Sequence, residues 1–173
     1  MAPISVEALY ASELKPVYSF LYRLGARGTD IEDVAHDVFV TAMKRLDSYD
    51  RSRPLRPWVL GIAFRTMSEH RRRQASDSTP GDDDALERQA DESATAHDRL
   101  EAKQAQQLVE LALATLPDER RQVFVMHDLE GLIAADIAEL IGCPLQTVYS
   151  RLRVARTEFT QAVRRIQLKR GEA

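Results

Sequence analysis

The chain has 173 residues, 44% of them hydrophobic and 29% charged, with seven glycines and a formal net charge of −3. That is enough apolar material for one or two small soluble domains, with few β-branched runs to build a sheet. A single cysteine, Cys143, excludes an internal disulfide, no run approaches the ~18 apolar residues of a membrane span, and the first residues lack the basic start and apolar core of a secretory signal, so the cytoplasm is the expected compartment.

Residues 5–25 carry Val6, Leu9, Tyr10, Leu14, Val17, Phe20, Leu21 and Leu24 at helical spacing, with Pro16 as a possible kink or restart. Gly25 and Gly28 end that segment. A second helix is expected over residues 30–46, capped by Thr29 or Asp30. Its first turn is acidic and its end is Lys44-Arg45, which suits the helix dipole. Ile31, Val34, Val38, Met43 and Leu46 form its expected apolar side. Residues 47–57 read as a loop with two prolines and the charges Asp50, Arg51, Arg53 and Arg56. A third helix, residues 58–74, ends in Arg71, Arg72 and Arg73. Three arginines at a helix end are ordinarily a solvated, dipole-matched terminus. Beside Trp58, Arg65 and a charged loop they also suit an unstacked base and its strand. Trp58 itself is expected in the core.

Residues 75–100 are polar and acidic, a flexible linker whose second half, from about residue 87, could begin a helix. A helix follows over residues 101–114. Pro117 then starts the next, over residues 118–128, so that His127 and Asp128 close it.

Residues 132–156 hold the most informative pattern: LIAADIAELI, then Gly142-Cys143-Pro144, then LQTVYSRLRVAR. The small Ala138 lets two helices approach, Gly142 permits a tight turn, Pro144 suits a first helical position, and Val148 plugs the second helix into the first. This is a helix-turn-helix, whose second helix enters a DNA major groove. On that helix Val148, Leu152, Ala155 and Phe159 share one stripe, and Gln146, Ser150, Arg153 and Thr157 face the other way. Thr147 and Arg151 lie on one flank, Tyr149 and Arg156 on the other. Gln and Arg suit base edges; flanking Arg, Thr and Tyr suit phosphates. Cys143 reads as a small buried residue of the turn. The helix is expected to reach about Thr160, and the basic tail from Arg164 to fray.

The charge divides unevenly. Residues 1–76 hold 12 Lys/Arg and 9 Asp/Glu, residues 77–104 hold 3 and 9, and residues 105–173 hold 9 and 9. Strong DNA binding by the chain alone is therefore not expected, because the counterion-release contribution is small.

The chain resembles the extracytoplasmic-function (group IV) sigma factors of the sigma-70 family of bacterial RNA polymerase. DIEDVAHDVFVTA (residues 30–42) is similar to region 2.2. PWVLGIA (57–63) through Arg71–Arg73 is similar to regions 2.3 and 2.4. LPDERRQVF (116–124), EGL (130–132), DIAELIGCP (136–144) and TVYSRLRVAR (147–156) are similar to region 4 and its recognition helix. The resemblance implies an all-α fold of two small helical domains joined by a flexible acidic linker: a sigma-2 domain at 1–76, the linker at 77–104 and a sigma-4 domain at 105–173.

Function follows as a further implication: binding of core RNA polymerase (beta-prime clamp and beta flap) and promoter-specific initiation. Residues Asp30, Asp33, His36, Asp37 and Val40 would face the polymerase. Asp50, Arg51, Arg53, Arg56, Arg65, Arg71, Arg72 and Arg73 would serve the −10 element, and Gln146, Thr147, Tyr149, Ser150, Arg151, Arg153 and Arg156 the −35 element. An anti-sigma factor is an expected partner; no catalysis, cofactor, metal or membrane insertion is expected. His36, Arg65, Ile133, Tyr149 and Val154 depart from the family's usual Gln, Asn, Ser or Thr, and basic residues. A conventional DNA-binding regulator is the rival reading, and dependence on polymerase separates the two.

Overall fold

The structure, a computed structural model, describes residues 5–76 and 96–171, and among them helices are joined only by turns and short irregular segments. The chain divides into two compact units, Met1–Ala85 and Leu86–Ala173. Residues 77–95, most of the segment read as an acidic linker, lie outside the described residues. Residues 96–104 belong to a helix.

The first unit packs three helices, each on the other two. Helix α1 (Val6–Arg23) opens at Ser5, whose hydroxyl accepts the Ala8 N–H at 3.1 Å and so satisfies a free donor of the first turn. Pro16 lies inside α1 without ending it. The ladder loses one N–H there, but Leu9, Val17, Phe20 and Leu21 are fully buried on both sides and hold the helix together.

Helix α2 (Gly28–Arg45) starts earlier than the sequence suggests. Arg27 is its N-cap and makes no side-chain cap bond, so neither Thr29 nor Asp30 caps it. Arg27 instead lies over the Tyr22 ring, 3.8 Å from its centroid, and donates to the carbonyls of Tyr22 and Ala26. The buried stripe of α2 is Ile31, Val34, Ala35, Val38, Phe39 and Ala42. Met43, expected on it, is 40% exposed, since it follows Ala42 one step around the helix. Leu46 opens a 3₁₀ turn, Leu46–Ser48.

Helix α3 (Leu55–Ser76) begins ahead of Trp58 and buries Val59, Leu60, Ile62, Ala63, Phe64 and Met67. The expected loop of 47–57 is therefore shorter, and it is tied down at several points.

In the second unit, α4 (Ala96–Ala114), α5 (Asp118–Phe124) and α6 (Ala134–Ile141) all pack on α7 (Leu145–Arg170). The expected helix over 118–128 is interrupted. After Phe124 the chain widens into a π-helical turn, Val125–Leu129, with Glu130 N–H donating to Val125 O at 3.0 Å. His127 and Asp128 thus sit within a widened turn, not at a plain helix end. Pro117 and Pro144 are N-caps, one residue outside the helices they introduce. Their extended ψ of 144° keeps them out of the helix, while the Pro144 carbonyl accepts the Thr147 and Val148 N–H groups.

Gly142 ends α6 at φ 75° and ψ 41°, and both its N–H and that of Cys143 donate to Ala138 O. Ala134 and Ile137 are the buried residues of α6, while Ala138 and Cys143 are half-buried. Helix α7 does not end near Thr160, and residues 164–170 of the expected fraying tail belong to it. It runs to Arg170 and closes at Gly171, with Ala162 buried and α4 packed against the helix. No described helix is long and apolar enough to cross a membrane.

Candidate nucleic-acid interface

On α7 the burial pattern follows the spacing. Val148, Leu152 and Ala155 are 2% exposed or less. Phe159 continues that stripe and stacks on Phe124 of α5 at 4.7 Å between centroids. Gln146, Ser150, Arg153 and Thr157 are exposed on the opposite side, and the Thr157 hydroxyl donates back to Arg153 O. One face thus locks the helix to its unit and the other carries amide, hydroxyl and guanidinium groups outward.

The flanks are less open than the sequence indicates. Thr147 and Arg151 are half-buried; Tyr149 is 50% exposed. Arg151 donates to Glu119 at 2.7 Å, Arg120 pairs with Glu158, and Arg156 makes two hydrogen bonds to Asp128, at 2.7 and 2.6 Å. Three acid–arginine pairs therefore join α7 to the segment that precedes α6. The hydrogen bonds from Arg156 hold the Asp128 carboxyl below its ordinary value. The acids Glu119, Asp128 and Glu158 are not legible as partners, because they lie 32, 28 and 38 residues from their arginines and no helical spacing connects them.

In the first unit the residues assigned to the −10 element separate into different environments. Arg51 and Arg65 are exposed. Asp50 accepts from the Ser52 N–H and hydroxyl at 3.0 and 2.7 Å, which closes a local turn and lowers its carboxyl's pKa. Arg53 lies 3.8 Å from Asp50. Its carbonyl accepts the Tyr49 hydroxyl, and the buried Tyr49 ring rests 4.9 Å from that of Trp58. Burial pushes the Tyr49 phenol up, so it stays a neutral donor. Trp58 is half-buried as a partner of Tyr49, a residue the sequence reading overlooked.

Arg56 donates to Glu13 of α1 at 3.1 Å; the Glu13 side chain is only 6% exposed. Arg71 donates to Leu24 O at the end of α1. These two arginines brace α3 against α1. Arg71 continues the buried stripe of Phe64 and Met67, at seven and four residues' remove, which is the signal that its side chain turns inward. Arg72 is exposed, and Arg73 lies 3.7 Å from Glu69.

On α2, Asp33, His36 and Asp37 are exposed and Val40 is half-buried, on the face away from Ile31, Val34 and Val38. Asp30 lies 3.5 Å from His70 of α3. Among the described residues no group of three or more His, Cys, Asp or Glu is placed to hold a metal ion.

Comparisons with known proteins follow the same division. Residues 9–76 match the model of sigma-70 region 2, and residues 106–159 match sigma-70, region 4. The chain is 30% identical over 146 residues to the RNA polymerase sigma-H factor of Pseudomonas aeruginosa, covering 78% of this chain and 73% of that protein. It is 28% identical over 141 residues to the ECF RNA polymerase sigma-E factor of Escherichia coli, covering 78% and 74%. Among solved structures, the sigma factor RpoE in complex with the anti-sigma factor NepR from Bartonella quintana superposes with a TM-score of 0.66 at 19% identity, over 91% of this chain and 96% of that one. CnrH in complex with the cytosolic domain of CnrY gives 0.56 at 24% identity, over 90% and 85%.

Proposed function

The chain belongs to the extracytoplasmic-function group of sigma-70 family sigma factors, which direct promoter-specific transcription initiation, and on that premise we propose how its residues divide the work. The sigma-2 part, residues 1–76, engages core RNA polymerase through the Asp33, His36, Asp37 and Val40 face of α2, with Asp30 at its edge, and reads the −10 element. The segment 47–57 receives an unstacked base, with Arg51, Arg53 and Arg65 at the strand. The sigma-4 part, residues 105–173, reads the −35 element: Gln146, Ser150 and Arg153 address base edges, and Thr147, Tyr149, Arg151 and Arg156 address phosphates. Residues 77–104 connect the two. Arg56 and Arg71 hold α3 in place and leave strand contact to their neighbours.

The partners are the beta-prime clamp and beta flap of core polymerase, promoter DNA, and an anti-sigma factor of the kind seen with the structural relatives. The protein acts in the cytoplasm, where its polymerase is, and the chemistry of RNA synthesis belongs to that polymerase.

The observation that carries this reading is the division of α7: a buried stripe of Val148, Leu152 and Ala155, with Gln146, Ser150 and Arg153 exposed opposite. The purified chain, added to core polymerase, is expected to give a transcript from a defined start on a promoter that core alone ignores, while binding the same duplex weakly by itself. Tight operator binding without polymerase, and no promoter-dependent transcript, would instead identify a conventional regulator.

A further inference from the structure

The acid–arginine pairs around α7 differ in one respect that bears on recognition. Glu119, the partner of Arg151, has a side chain 72% exposed; Asp128, the partner of Arg156, has one 20% exposed. Asp128 rides on the π-helical turn between α5 and α6. That turn is anchored by Val125 and Met126, both fully buried, and by the Leu132 N–H donating to Met126 O at 2.9 Å. Its carboxylate meets Arg156 edge-on. Oδ2 accepts from Nε at 2.7 Å and Oδ1 from Nη2 at 2.6 Å, and the His127 Nδ1 lies 2.7 Å from the same Oδ1. A guanidinium held by Nε and one Nη keeps its remaining N–H groups for a second acceptor, and its long side chain loses its freedom before that acceptor arrives. The Arg156 side chain remains 53% exposed.

We propose that Asp128 is a positioning residue for DNA recognition: the π-helical turn places its carboxylate to hold the Arg156 guanidinium ready for a phosphate of the −35 duplex. The proposal rests on the reading of Arg156 as a phosphate contact of α7. It also predicts a sign opposite to that of simple charge. Asp128 is an anion beside a DNA-facing cation, so Coulomb repulsion alone makes its removal strengthen DNA binding. Positioning makes its removal weaken binding. An aspartate carboxyl is ionised at neutral pH, and the hydrogen bonds from Arg156 lower its pKa further, so the fork is intact where transcription occurs.

The test uses holoenzyme assembled from full-length chain and core polymerase, on a promoter selected by wild-type holoenzyme from a randomised library. Affinity is measured against salt, with the −35 element intact and with it scrambled. R156A is expected to weaken −35-dependent binding about three- to tenfold and to flatten the log–log salt slope by about 0.9, the loss of one phosphate contact. D128N is expected to do the same in direction, while D128N/R156A is no weaker than R156A alone and D128E recovers most of the loss. R156K provides a second route should D128N unfold: lysine keeps the charge without the fork, so positioning predicts a loss, and charge alone predicts wild-type binding. If R156A has no effect, the reading of this flank of α7 fails. If R156A weakens binding while D128N leaves it unchanged or tightens it, the reading stands and the positioning role of Asp128 is overturned.

Discussion

Arg71 shows how a residue's class and its work come apart. By sequence it is one of three basic residues at a helix end. In the fold it donates to the Leu24 carbonyl, one of the acceptors that α1 leaves open at its C-terminus. Arg71→Ala is expected to destabilise the first unit by about 1.5–3 kcal/mol, the scale for a hydrogen bond from a charged donor. Urea denaturation would register that loss, and an unchanged midpoint would return Arg71 to the strand-binding set. Asp128 is the matching case among the acids. Its carboxyl titrates below its ordinary value of 3.8, chiefly through the Arg156 hydrogen bonds. A depressed carboxyl contributes stability that is present above its ordinary value and lost as pH falls through the depressed one. Asp128→Asn should therefore flatten the decline in stability below about pH 4, followed by circular dichroism of acid unfolding. An acid limb identical to wild type would show that the pair contributes nothing there.

At the scale of elements, the helices were legible wherever one apolar stripe ran without interruption. The buried stripes of α2 and α7 are the examples: Ile31, Val34 and Val38, then Val148, Leu152 and Ala155, recur at helical spacing. The ends were less legible. A cap depends on a single φ/ψ pair, and Arg27 fills the N-cap of α2 with no side-chain bond, so Thr29 and Asp30 misdirect the reading. The π-helical turn was invisible, because Val125 and Met126 fit an α-helix as well as a widened one. The long end of α7 is not legible from local spacing, because after Phe159 only Ala162 is buried on it. The candidate site was legible on the exposed face of α7 and obscured on its flanks, where the acid partners come from other elements.

The turn between α6 and α7 offers a test at this scale. Gly142 holds φ 75°, and a Cβ built there meets nothing within 4 Å, so the cost of a side chain is backbone strain alone. Gly142→Ala should destabilise the second unit by about 1–2 kcal/mol, with Gly142→Asn costing less. Equal losses for the two in thermal unfolding would place the cost elsewhere.

For the whole molecule, charge and fold set the same condition. The net charge of −3 gives little counterion release, and three arginines on α7 or packed against it are already paired with acids. On the proposed function, a protein built this way relies on polymerase to bring its two proposed reading surfaces to DNA. The central claim is that those surfaces are separate: segment 47–57 with α3 for the −10 element, and α7 for the −35 element. The most direct measurement is promoter selection from a randomised library by three holoenzymes: wild type, a variant carrying segment 47–57 of a related sigma factor, and Arg153→Ala. The account predicts that the segment swap changes the preferred −10 base and leaves the −35 sequence alone. It predicts that Arg153→Ala relaxes one or two −35 positions, at about 1–3 kcal/mol of discrimination, and leaves the −10 base alone. A swap that moves the −35 preference, or an Arg153→Ala variant that keeps full −35 selectivity, would contradict it.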